Sequence, residues 1–322
     1  MKKILNITDF STNEENKKMM KYYCDNYKFK GFELIKFDLR KDNTSLKPLI
    51  NGYHMRFFPM WLDIYLGKYK ILKEKFKEKQ EIFYWCGGNS RQELIDYYKK
   101  ELETAEKLKV EYVVFHACYV DDEGSLTYEF SYSDKEVLQN VVDLINEIFE
   151  DKKYKFKLLL ENLWWPGLKL TSKEEIEFLL ENIKYENIGF MLDTGHMLNN
   201  EPKLRTVDEG IEYIEKNIAE IGELKEYIKG VHLNFSLSGK YLDDAIERHK
   251  NSVIEREKTL KNIYSHVSQI DQHLPFEDTR IIKILESLPL DWVVYEFIYY
   301  NNADLENKVK SQDEILKTLN LS

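Results

Sequence analysis

Five short strand-like runs in this chain each end on a residue that binds divalent metal well: 110–116 (VEYVVFH), 156–161 (FKLLLE), 188–193 (IGFMLD), 228–232 (IKGVH) and 292–296 (WVVYE). Imidazole nitrogens and carboxylate oxygens are the donors of choice for Zn²⁺, Mn²⁺, Co²⁺ and Mg²⁺. A lone histidine at a strand end is more often a satisfied core residue than a ligand. Five such endings along one chain point instead to a metal centre. Glu161, Asp193, His232 and Glu296 end four consecutive strands, and three carboxylates with one imidazole leave open positions for substrate oxygens.

The remaining histidines follow the same bias. His54 falls within 52–57 (GYHMRF), His116 closes VEYVVFH, His196 sits three residues past Asp193 in DTGH, and His273 lies in IDQHLPF beside Asp271. His249 and His266 fall instead in a charged helical stretch, 243–266. Trp164 and Trp165 follow Glu161 closely, and with Trp61 and Tyr119 they could form an apolar substrate wall; packing under the long loops is the equally simple use of these rings. Lys240 and Arg56 could meet a phosphate, although lysine is abundant throughout the chain.

Such donors act together only if the fold brings the strand ends to one face. Strand patterns at 3–8, 32–37, 52–57, 110–116, 156–161, 188–193, 228–234 and 292–297 alternate with helical patterns at 13–23, 90–108, 133–149, 172–180, 207–224 and 279–288. That rhythm predicts a parallel sheet with crossover helices. With 322 residues it fits one (β/α)8 barrel occupying residues 1–322 as a single domain. The 38–51 connection carries no helical pattern. Two connections, 58–89 after strand three and 236–275 after strand seven, are enlarged and leave from the face where barrel enzymes build their sites. They are expected to act as lids, substrate walls or a contact in a homo-oligomer.

A net charge of −10 argues against a broad nucleic-acid footprint, without excluding a local basic groove. Cys24, Cys86 and Cys118 are odd in number and too widely spaced for CxxC chemistry. With an opening MKKILNITDF too short for a signal peptide and no run of membrane-spanning length, the expectation is a soluble cytoplasmic protein without a membrane partner.

The ordered set FHA, LENL, DTGH, VHLN, DQHLP and the terminal YE, with GFEL at 31–34, resembles the xylose-isomerase-like TIM barrel superfamily over nearly the whole chain. That group includes sugar isomerases, ketose 3-epimerases and endonuclease IV. Resemblance to the epimerases implies one divalent metal, its identity open among Mn, Zn, Mg and Co, held by Glu161, Asp193, His232 and Glu296. The two glutamates would exchange the substrate proton, with His196, His116, Trp164 and Trp61 around a carbohydrate. The arginine usual after the strand-seven histidine is missing, since none occurs before Arg248.

Resemblance to endonuclease IV implies a multi-zinc centre from His54, His116, Glu161, Asp193, His196, His232, Asp271, His273 and Glu296. Around those positions the chain departs from the endonuclease, with HAC at strand four, HLNF at strand seven and a different aromatic loop after strand three. The expected activity is therefore a metal-dependent sugar, sugar-phosphate or polyol isomerase or epimerase. The alternative is an endonuclease IV-like phosphodiesterase.

Overall fold

The computed structural model describes residues 1–150, 153–250 and 256–321. Its strands are β1 (Lys2–Thr8), β2 (Gly31–Ile35), β3 (Ile50–His54), β4 (Tyr112–His116), β5 (Lys157–Glu161), β6 (Ile188–Asp193), β7 (Ile228–Leu233) and β8 (Trp292–Tyr295). All pair in parallel in chain order, and β8 closes on β1, so this is a (β/α)8 barrel. Strand residues alternate between two cores. Ile4, Tyr112, Val114, Leu159, Met191, Trp292 and Val294 plug the barrel interior, while their neighbours pack outward against the helices.

The helices begin where the sequence offers caps. Thr12, Ser133, Ser172 and Thr206 each accept a backbone N–H from a glutamate three residues on, and that glutamate returns the bond. Ser90 caps Arg91–Leu108 with its side chain alone. The helix Asn302–Ile315 carries no apolar stripe strong enough to have been expected, yet it buries Leu305 and Val309 in the outer core. Between β2 and β3 there is only a 3-10 turn, Thr44–Leu49.

Four strands, β2, β3, β7 and β8, stop earlier than their residue pattern suggests. β3 ends on His54, because the next ladder donor is diverted: the Arg56 backbone N–H donates to the buried carboxyl of Glu101, 3.0 Å away. Glu296 lies one residue past β8. The connection after β3 folds into three short helices, Trp61–Tyr65, Tyr69–Lys75 and Lys79–Cys86. The connection after β7 carries Gly239–Lys250 and Arg256–Ile270, so the stretch expected to be helical over 243–266 is helical wherever it is described, with 251–255 outside the described residues.

Glu101 has a consequence that can be measured. Burial raises its pKa from 4.5 to about 8, against the opposing bonds from Arg56 and Tyr53. A carboxyl that binds its proton more tightly when folded loses stability as pH rises from its unfolded pKa through its folded one. Thermal melts of Glu101→Gln should therefore show a Tm advantage over the parent that is small near pH 4.5 and grows up to about pH 8. A Tm difference independent of pH would contradict the assignment.

Candidate metal centre

The strand ends converge as the parallel barrel requires. Four groups of donors each have ligand atoms within 4.8 Å of one another: three sets, His54, His116 and Glu161; Glu161, Asp193, His232 and Glu296; His196, Asp271 and His273; and a fourth, Glu33, His54, His232 and Glu296, that reuses donors of the first two. Glu161 belongs to two of them. Its Oε2 lies 2.8 Å from His116 Nε2 and 3.1 Å from His54 Nε2, while Oε1 lies 3.0 Å from His232 Nδ1. Asp271 Oδ2 lies 2.7 Å from His273 Nε2 and 3.3 Å from His196 Nε2.

Local structure fixes each donor. Asp193 caps the helix Thr194–Asn199 through the His196 N–H, and Asn234 Nδ2 donates to its other oxygen at 2.7 Å. Gly195 sits where an added Cβ would lie 1.9 Å from Asn234 Oδ1, so only glycine permits this approach. His273 has a φ of 47°, a left-handed conformation that a non-glycine residue adopts only when held. The Ser236 hydroxyl accepts its backbone N–H at 3.2 Å, and its Nδ1–H donates to the Glu296 carbonyl at 2.9 Å.

Four of the five histidines here share one arrangement, while Nδ1 of His116 is buried without a hydrogen bond. Nδ1 of His54, His196 and His273 faces the backbone carbonyls of Met55, Asn162 and Glu296, and His232 Nε2 faces Glu33 Oε2 at 3.1 Å. Each of these nitrogens must donate, which leaves the other as a lone pair aimed at a carboxylate. Lone pair against anion is repulsive unless a proton or a cation lies between. A donor nitrogen held by a carbonyl or carboxylate is also how metal-binding histidines are oriented. Glu296 Oε2 adds a second sign: it is buried, 3.1 Å from His232 Nδ1, and without a hydrogen bond. The donor set therefore fits divalent cations.

The charges tell the same story for the metal-free state. Burial opposes ionisation of His54, but the bond and charge of Glu161 raise its pKa to about 9. His273 rises to about 10 against the same burial, driven by Asp271. Asp193 is pushed up to about 7 by burial, opposed by His196. Glu296 falls to about 2 despite burial, because His232 faces it. His116 moves the other way, lowered by burial that Glu161 only partly offsets. Protons thus occupy the places that cations would take.

Above the donors lies a cleft of about 640 Å³, whose lining includes His54, His116, His196, Asp271, His273 and Glu296 on one side and Trp164, Trp165, Phe57 and Arg56 on another. Tyr84 and Tyr264, one from each long connection, bond through their hydroxyls beside it.

All nine residues expected from the sequence meet here, and Trp164 lines the cleft as expected. Trp61 does not. It is fully buried within the connection after β3, with its Nε1–H donating to the Cys118 carbonyl at 2.8 Å, so it cannot serve as a substrate wall. Tyr119 is likewise buried and donates to Asp63. Sequence reading missed Glu33, whose oxygens meet His232 Nε2 and Asn6 Nδ2. Its signal was an acid at an inward-facing position of GFEL in β2. Asn162 and Asn234, the neighbours of Glu161 and His232 that hold Asp193, were also missed.

A family model described as xylose isomerase-like TIM barrel matches residues 22–315. A probable endonuclease 4 of Persephonella marina is 28% identical over 148 residues, 45% of this chain and 48% of the relative. The chain thus matches about half the length of that relative. Among solved structures, a D-tagatose 3-epimerase-like protein superposes with a TM-score of 0.58 at 17% identity, covering 99% of this chain and 98% of the other. Endonuclease IV from Thermus thermophilus superposes with a TM-score of 0.53 at 13% identity, over 99% and 100%. At these identities the two structures share the fold. Among the described residues, no helix is long and apolar enough to cross a membrane.

Proposed function

Because the chain belongs to the xylose isomerase-like TIM barrel family, we propose that it is an enzyme whose three donor sets hold a multinuclear divalent-metal centre that hydrolyses a small phosphate ester. The observation that carries this reading is the third set. His196, Asp271 and His273 are complete, buried and mutually aligned, and an isomerase using only Glu161, Asp193, His232 and Glu296 has no need of them. Adjacent divalent cations clamp a phosphoryl group and lower the pKa of a bound water. Glu161 holds two of the sets at a fixed separation, and Asp271 orients His196 and His273 toward the third.

The cleft favours a compact substrate over a duplex. Tyr84 and Tyr264 join the two long connections beside it, and aromatic rings rather than a basic track form its wall. The net charge of −10 points the same way. Zinc suits the histidine-rich donor sets best among the candidate metals.

The sugar isomerase or epimerase reading keeps one observation in its favour: Glu161 and Glu296 flank His232 Nδ1 at 3.0 and 3.1 Å, a pair suited to proton exchange at a metal-bound carbohydrate. Elemental analysis of protein purified without chelator separates the two. The hydrolase reading expects more than one metal per chain, approaching one for each of the three donor sets, together with metal-dependent cleavage of 4-nitrophenyl phosphate esters. One metal per chain, with exchange of solvent deuterium into ketoses, would overturn it in favour of the isomerase.

A further inference from the structure

We infer that Arg56 forms, with the rings around it, an oxyanion-binding subsite for a second charge on the substrate, so that the preferred ligand is an aryl-type phosphate ester bearing another carboxylate or phosphate. This rests on the hydrolase reading for the first phosphate only. Arg40, Arg91, Arg205 and Arg280 are all in ion pairs. Arg56 differs: among the described residues no carboxylate lies within 4.0 Å of its guanidinium, which meets the Tyr97 hydroxyl and stands 5.1 Å from the Phe58 ring, 5.6 Å from Tyr84 and 5.8 Å from Phe37.

Its backbone is anchored by the two bonds to Glu101 at 3.0 and 3.3 Å, two residues after His54, and its side chain lines the same cleft as the metal donors. An anchored, half-buried guanidinium without a carboxylate partner presents a planar fork that matches carboxylate or phosphate. The rings supply the rest of the subsite. Phe57 stacks on Trp165 with a centroid separation of 6.2 Å and an angle of 20°. Phe10 stacks on Phe37 at 4.5 Å while remaining 74% exposed, a large apolar surface left open at the rim. Between donors that fit a phosphoryl group and a guanidinium beyond them, such walls suit a planar spacer.

The test is binding, followed by quenching of Trp164 and Trp165 in metal-loaded protein. The probes are 3- and 4-carboxyphenyl phosphate, their neutral carboxamides and phenylene bisphosphate. The better carboxylate is expected to bind about tenfold more tightly than its carboxamide, with the bisphosphate reporting whether phosphate is the better second anion. Arg56→Gln should abolish the difference, bringing carboxylate affinity down to that of the carboxamide. In the wild-type protein the preference should also shrink as salt is raised, a readout independent of how any variant folds. Equal affinities for carboxylate and carboxamide, or a preference that survives in Arg56→Gln, would overturn the subsite. An Arg56-dependent preference without phosphate-ester turnover would retain the subsite and remove the hydrolase reading.

Discussion

Replacing Asp271 with alanine should lower the metal content by one ion per chain and abolish most phosphate-ester cleavage. Asp271 Oδ2 lies within 3.3 Å of both His196 and His273 and is the sole carboxylate of that set. The charges of those two histidines hold its own pKa well below the usual carboxylate range despite burial. Removing it leaves two neutral nitrogens, too weak a set to retain a cation against solvent. The loss should exceed the ~10–100-fold typical of residues one step outside a metal's ligands. The other two sets share no atom with Asp271 and should remain filled. Elemental analysis and kinetics on the same preparation check both parts. Unchanged metal content with unchanged turnover would mean that Asp271 serves only to position His273.

A more severe outcome is expected for Glu161→Gln. Glu161 is completely buried, and its oxygens separately face His54 with His116 and His232. The charges of His116 and His232 hold its pKa well below normal against the desolvation of burial. Glutamine keeps the volume but removes the charge that two donor sets share. Both sets should weaken together, and activity should fall by more than ~10²-fold, beyond the range for outer residues. Retention of full metal content would refute the bridging role. The apo protein should also melt lower than the loaded one, because bound metal stabilises only the folded arrangement. In Glu161→Gln the gap between the two melting temperatures should narrow.

Much of this centre was legible along the chain because β-strands end at one face of a parallel barrel. Once the strand phase at LENL, DTGH and VHLN is read, Glu161, Asp193 and His232 must face one mouth. The two tryptophans illustrate the limit of such reading. Trp164 and Trp61 are the same residue type in aromatic loops above the barrel, yet one lines the cleft and the other is buried under Cys118. Nothing local distinguishes them, since the loop path depends on contacts distant in sequence. Glu33 was passed over for a related reason: an inward carboxylate in β2 gains meaning only when His232, far along the chain, turns Nε2 toward it.

The sequence alone determined the barrel, because alternating strand and helix patterns with capped helix starts are local properties, and it determined which donors share a face. Only the tertiary structure decided how those donors divide into sets. It turned one nitrogen of His54, His196 and His273 to a carbonyl, placed Glu161 between two sets, and left the Arg56 guanidinium over rings while its backbone N–H meets Glu101. Those choices depend on side-chain directions set by contacts between distant segments, which no spacing along one strand encodes.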